Sequence, residues 1–171
     1  MKLLLLRHAV AEDRATFAAT GKQDRLRPLT DDGRKKMRKI GEALGGLLPE
    51  IALIATSAHV RARESAEILA RSCPERPVLS ELAELAPDGS SAALLKFLQA
   101  QKSLPVVACV GHEPNLSQFA GWLLAGKERS FLELRKGGAC LLDFTGRLAP
   151  GNAALLWHMT PAQLRSLRSP R

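Results

Sequence analysis

Three short polar clusters hold the residue types that do chemistry: Arg7-His8, the run Ser57-Ala58-His59-Val60-Arg61-Ala62, and Gly111-His112. Arginine is cationic at any physiological pH, and its planar fork matches the oxygens of a phosphate. Histidine titrates near neutrality and serves as nucleophile, proton carrier or hydrogen-bond donor. Two arginines and two histidines brought to one point make a cationic pocket for a dianion, with an imidazole able to attack it. Rival chemistries lack their signatures. There is no G-x-x-x-x-G-K-[ST] loop for nucleotide hydrolysis and no G-x-S-x-G elbow. His112-Glu113 begins like a zinc-binding H-E-x-x-H, but Leu116 takes the second histidine position and Pro114 interrupts. No carboxylate cluster accompanies His8, His59, His112 and His158, so no metal is expected.

Each cluster lies just past an apolar run, at residues 3–6, 51–55 and 106–110. These read as strands, as do 78–79, 139–144 and 153–157. The run 106–110 is apolar throughout, the pattern of a strand buried on both faces. Helical spacing fills the gaps. Met37, Ile40, Leu44, Leu47 and Leu48 form one stripe, with Thr30 as N-cap and Asp31 and Asp32 in the first turn. Residues 62–70 follow Ser57 as a possible cap, and Leu94, Leu95 and Leu98 follow Ser90-Ser91. Leu116, Phe119, Ala120, Leu123 and Leu124 lie between Pro114 and Gly126. Strand–helix alternation predicts a three-layer α/β/α fold with a mostly parallel sheet, and the last two strands predict an antiparallel hairpin at one edge. Ligands of such sheets bind outside the carboxyl ends of the strands. If the three strands are parallel neighbours, the clusters share one crevice.

Composition narrows the surroundings. The 171 residues suit one domain, 1–171, and 46% apolar with 25% charged residues is ordinary globular chemistry. No apolar run approaches the roughly 20 residues a membrane helix needs. The start Met1-Lys2-Leu3 lacks a long apolar stretch and a small-residue cleavage site, so no signal peptide is expected. Cys73, Cys109 and Cys140 form no C-x-x-C and are odd in number, which fits buried thiols in a reduced cytoplasm. The net charge of +8 favours an anionic partner. With 4% aromatics and no tyrosine, stacking platforms for single-stranded nucleic acid are scarce, and no nucleic acid or membrane partner is expected. The basic run 34–39 reads as the wet face of an amphipathic helix, and Arg165, Arg168 and Arg171 as a polar tail after a short helix.

Leu5-Leu6-Arg7-His8-Ala9 after an N-terminal strand resembles the R-H-G signature of the histidine phosphatase (phosphoglycerate mutase-like) superfamily. Ser57 through Ala62 resembles its S-P-x-x-R-A segment, and Val110-Gly111-His112 its later strand-terminal histidine. Arg27-Pro28-Leu29-Thr30-Asp31-Asp32-Gly33 and Trp157-His158-Met159-Thr160-Pro161 are similar to segments of the small SixA-type phosphohistidine phosphatases. The likeness runs from residue 3 to about 163.

The resemblance implies a phosphoglycerate mutase-like fold and a cofactor-free phosphatase in which His8 is transiently phosphorylated. It assigns Arg7, Arg61 and His112 to the equatorial phosphoryl oxygens, and Arg27 to phosphate binding at the pocket mouth. Glu84 is the positional match for a proton donor to the leaving group, with Glu81 in reserve. Ala9 stands where the family has glycine and Ala58 where it has proline, and Glu113 is expected to point away from an anion pocket. Without the insertions that form a lid in the larger mutases, the pocket should admit a side chain of another protein. The expected substrate is a phosphohistidine on a signalling protein such as a histidine phosphotransfer domain, or else a small phosphate ester, with inorganic phosphate as product. A third reading, from the charge alone, is a basic binding module without catalysis.

Overall fold

Strand β1 (Lys2–Arg7) carries four consecutive leucines, and all four are fully buried. Side chains alternate across a strand, so Leu4 and Leu6 enter one core and Leu3 and Leu5 the other. A strand buried on both faces must lie inside a sheet covered by helices on each side. The computed structural model, which describes residues 1–167, has this arrangement.

The chain continues through α1 (Arg14–Ala18), α2 (Asp31–Leu47), β2 (Ile51–Thr56), α3 (Val60–Ser72), β3 (Val78–Glu81), α4 (Ser91–Ala100), β4 (Val106–Gly111), α5 (Asn115–Ala125), β5 (Ala139–Asp143), β6 (Ala154–Met159) and α6 (Pro161–Ser166). Single 3-10 turns occupy Asp24–Leu26 and Ala83–Leu85. The six strands lie in the order β3-β2-β4-β1-β5-β6. Strands β3, β2, β4 and β1 pair in parallel, while β5 and β6 form the expected antiparallel hairpin at one edge. Helices α2, α3 and α6 cover one face through Met37, Ile40, Leu69 and Leu164; α4 and α5 cover the other through Leu94, Leu98, Phe119 and Leu123. The wholly apolar β4 is buried at every position.

Local signals start and stop the helices. The Thr30 hydroxyl accepts the Gly33 N–H at 2.9 Å, and the Ser90 hydroxyl accepts that of Ala93 at 3.3 Å. Gly126 ends α5 with φ +70°, a left-handed conformation that costs glycine little. Ser57 is a correction: α3 begins after His59, which makes no side-chain cap, and the Ser57 hydroxyl is used in the site described below. The basic run also needs revision at Arg34, which is half-buried and bridges α2 to Glu64 of α3 at 3.0 Å. Lys35, Arg38 and Lys39 are exposed as expected. Arg165 is half-buried on α6, while Arg168 and Arg171 lie outside the described residues. The three cysteines are buried free thiols. Among the described residues, no helix is long and apolar enough to cross a membrane.

Candidate active site

Register decides which polar groups meet. Arg7 of β1 lies opposite Gly111 of β4, and Thr56 of β2 opposite Val110. The three strands therefore end nearly flush, and the ladder runs one residue further. The His8 N–H donates to the Gly111 carbonyl at 3.1 Å and the Ser57 N–H to that of Val110 at 3.2 Å. His8 and His112 consequently emerge side by side, with ring centroids 5.1 Å apart. The first turn of α3 brings Arg61 beside them, and the segment before α2 brings Arg27. Arg7, His8, Arg27, Arg61 and His112 all line one cavity of about 500 Å³. Four of them are nearly withdrawn from water, at 5% exposure for His8, 6% for Arg27, 2% for Arg61 and 3% for His112. Burying so many ionisable groups is costly unless they are paired or have a task.

His8 is fixed by its own backbone. Its Nδ1 lies 2.7 Å from the Ala9 carbonyl oxygen. A carbonyl only accepts, so Nδ1 carries the proton and Nε2 keeps a free lone pair. Burial pushes the His8 pKa down to about 3; the Ala9 bond opposes this, and the cations of Arg61, Arg7 and Lys136 add to it. Burial likewise lowers His112 to about 2, with His8 and Arg61 contributing. Both rings are neutral at pH 7. The alanine in place of glycine is accommodated: Ala9 is not among the positive-φ residues, and its N–H donates to the Ser65 hydroxyl at 3.0 Å. That hydroxyl donates to the Arg61 carbonyl at 2.7 Å, which ties α3 to the segment after β1. The Ser57 hydroxyl lies 3.1 Å from His112 Nε2 and accepts the His59 N–H at 3.2 Å.

The arginines are anchored by parts of their forks. Arg7 Nη1 donates to the Leu134 carbonyl at 2.9 Å. Arg27 donates from Nε to Asp24 at 2.8 Å and from Nη1 to the Glu12 carbonyl at 2.7 Å. These contacts bury Arg27 while it lines the cavity. Arg61 donates from Nη1 to the Asp24 carbonyl at 2.9 Å, and its Nη2 lies 3.1 Å from the Asp24 carboxylate. Among the described residues four buried side-chain atoms have no hydrogen-bond partner: Arg7 Nε, Arg61 Nε, His59 Nδ1 and Glu113 Oε1. Three belong to residues of the cavity wall, and the His59 ring sits 4.9 Å from that of His112. Native interiors rarely leave such groups unpaired. Two unpartnered guanidinium donors beside a neutral imidazole suit an oxyanion.

Other residues fall where the sequence did not place them. Glu113 lines the same cavity instead of pointing away; burial raises its pKa, opposed by the Ser117 hydroxyl bond and by Arg7. Glu84, on the second 3-10 turn, is not among the residues lining the cavity. Glu81 faces Arg63 at 3.5 Å. His158 donates from Nε2 to the Glu133 carbonyl at 3.1 Å, at the hairpin edge. Sequence reasoning missed Asp24 and Lys136. Lys136 precedes Gly137, whose φ is +81° and whose N–H reaches the carbonyls of both Arg7 and His8 at 3.1 Å. This turn fastens the start of β5 to the end of β1 and puts an ammonium on the cavity wall. Among the described residues no group of three or more His, Cys, Asp or Glu stands where it could hold a metal ion.

Known proteins share this arrangement of strands. Over 140 residues, 81% of this chain and 82% of the relative, the sequence is 35% identical to an uncharacterised protein of a Picosynechococcus species. Over 172 residues, 99% of each chain, it is 27% identical to the phosphohistidine phosphatase SixA of Escherichia coli. The solved structure of the protein histidine phosphatase SixA complexed with tungstate superposes with a TM-score of 0.81 at 24% identity, covering 96% of this chain and 99% of that one. That last likeness is one of fold, the phosphoglycerate mutase-like α/β fold. The family model of the histidine phosphatase superfamily (branch 1) matches residues 3–87, which include Arg7, His8, Arg27 and Arg61. From these relatives and this match together, the chain belongs to the histidine phosphatase superfamily.

Proposed function

We propose that the protein is a phosphatase in which His8 is the nucleophile, and that it removes phosphate from a phosphohistidine on a signalling protein. The observation that carries this reading is the state of His8: neutral, with Nδ1–H tied to Ala9 and Nε2 left free, in a cavity walled by Arg7, Arg27, Arg61 and His112. The Nε2 lone pair attacks phosphorus as the bond from phosphorus to the substrate nitrogen breaks, and the leaving imidazole takes a proton or already carries one. Arg7 and Arg61 balance the charge that spreads over the equatorial oxygens, the neutral His112 ring offers an N–H to them, and Arg27 adds to the field. A water oxygen then attacks phosphorus, the bond to Nε2 breaks, and phosphate leaves with the proton balance restored to solvent. Such transfers ask for positioning and charge stabilisation, which cations supply without a metal.

A phosphohistidine leaving group relaxes the need for a strong acid, which agrees with Glu84 standing off the cavity. Similarity along the full length to a phosphohistidine phosphatase supports the substrate class. The test is incubation with a histidine-phosphorylated phosphotransfer domain, with phosphate release followed over time and acid-labile phosphate on the enzyme located by mass spectrometry. Label on His8 and release from the protein substrate are expected. Turnover of small phosphate esters with none from the phosphoprotein assigns the same site to small molecules instead. Neither turnover nor label returns the chain to the class of basic binding modules.

A further inference from the structure

We infer that Asp24 is the internal counter-anion of the phosphate clamp: a positioning residue that holds Arg61 and Arg27 in place and loosens their grip on the phosphate product. The inference rests on the phosphatase reading above and adds to it a residue and a step, product release.

Asp24 begins the 3-10 turn between α1 and α2, three residues before Arg27. Its carboxylate lies 3.1 Å from Arg61 Nη2 through one oxygen; the other accepts from Arg27 Nε at 2.8 Å and lies 3.6 Å from Arg14 Nε. Its backbone carbonyl takes Arg61 Nη1 as well. Among the described residues no other carboxylate forms an ion pair with any of these three arginines. Arg61 is 2% exposed, and a buried cation without a partner is strongly destabilising. Burial resists ionisation of Asp24, yet Arg27, Arg61 and Arg14 hold its pKa below the usual carboxylate range.

One negative charge thus serves three guanidiniums that also face, or flank, the cavity for the oxyanion. With Arg61 giving one N–H from each terminal nitrogen to Asp24, the unpartnered Nε–H and the second hydrogen of each terminal nitrogen are the donors left for a ligand. A phosphate entering the cavity therefore meets an arginine already partly neutralised and already oriented. The orientation favours the incoming phosphoryl group. The neutralisation lowers affinity for the doubly charged product, which has to leave in every turnover.

The experiment measures inhibition and direct binding of inorganic phosphate with the wild-type protein, Asp24→Asn and Asp24→Glu. Loss of one charge at this range predicts phosphate binding about tenfold tighter in Asp24→Asn, with KM and kcat both reduced; Asp24→Glu, which keeps the charge, should stay close to wild type. Unchanged or weaker phosphate binding by folded Asp24→Asn overturns the inference, since a purely structural counter-ion lowers stability without tightening the ligand. Should Asp24→Asn fail to fold alone, millimolar phosphate must restore it, because the oxyanion then replaces the missing charge; failure to do so also overturns the inference. A wild-type protein that neither binds phosphate nor labels on His8 sinks the phosphatase reading itself. Wild-type binding and labelling with no effect of Asp24→Asn sinks only the role of Asp24.

Discussion

The two halves of the sheet are built for different tasks. In the parallel half, β1, β4 and β2 are sealed between helices and end flush, and their ends carry His8, Ser57 and His112, all at most 5% exposed. In the antiparallel half, β6 is exposed along its first three residues, Leu155 and Leu156 are 40% and 47% exposed, and His158 merely donates to a nearby carbonyl. Burial turns the same residue type into a different reagent. The parallel half gives up stability to hold neutral imidazoles and unpartnered guanidinium nitrogens where a ligand can use them. The hairpin half closes the sheet and fixes the turn at Gly137, with β5 buried in both cores, and its edge strand β6 asks little of its own side chains.

That contrast can be broken in graded ways. The largest effect is expected from His8→Ala: phosphatase turnover lost to the background while the circular dichroism of the fold persists. Persisting turnover would falsify the nucleophile assignment. Next comes the sealed strand, where Leu4→Ala should lower the unfolding free energy by about 2–5 kcal/mol; denaturant titration reads this directly, and a loss near zero would mean that β1 is not the centre of the core. Arg61→Ala should cut turnover by at least about a hundredfold, and a change below threefold removes Arg61 from the clamp.

A smaller effect concerns pH. His8 and His112 stay neutral in the fold, with pKa values near 3 and 2, whereas in the unfolded chain they titrate near 6.5. Below pH 6.5 the unfolded chain binds protons that the fold excludes. Stability is therefore full above that pH and declines as pH falls toward 3, by up to about 1.4 kcal/mol per pH unit for each ring. Urea midpoints at pH 7 and pH 5 should show the decline, and His8→Asn should make it shallower; an identical slope in the variant contradicts the buried neutral state. The smallest effect belongs to the hairpin: His158→Ala should change turnover by less than about twofold in the same assay, as expected of an exposed contact away from the cavity.

Much of the site was legible because strand ends announce themselves. An apolar run that stops at Arg7-His8 or Gly111-His112 states both the strand and the point where the chain leaves it, and the parallel order then brings those points together. Glu113 was misplaced because its neighbour His112 suggested charge conflict, whereas the start of α5 puts it on the cavity wall with Ser117 as hydrogen-bond donor. Lys136 was missed for a topological reason. Strand β5 runs against β1, so its beginning, not its end, adjoins the site, and the start of a strand carries no such mark in the sequence. Asp24 and Arg27 stand three positions apart, but the tie from Asp24 to Arg61 spans 37 positions and leaves no trace in local pattern. Ser57 has the residue type of a helix cap, and only the proximity of His112 shows its other use.

The hydrogen bond between His8 Nδ1 and the Ala9 oxygen has a consequence for how this protein can vary. Its acceptor is main chain, shared by all amino acids, so exchanging the side chain at position 9 leaves the acceptor in place as long as the local dihedral angles are kept. Under the mechanism proposed above, the protonation pattern of the His8 ring is thereby insulated from drift in the residues around it, and change can accumulate in the pocket wall, altering which phosphorylated molecule fits, without disarming the nitrogen proposed to react.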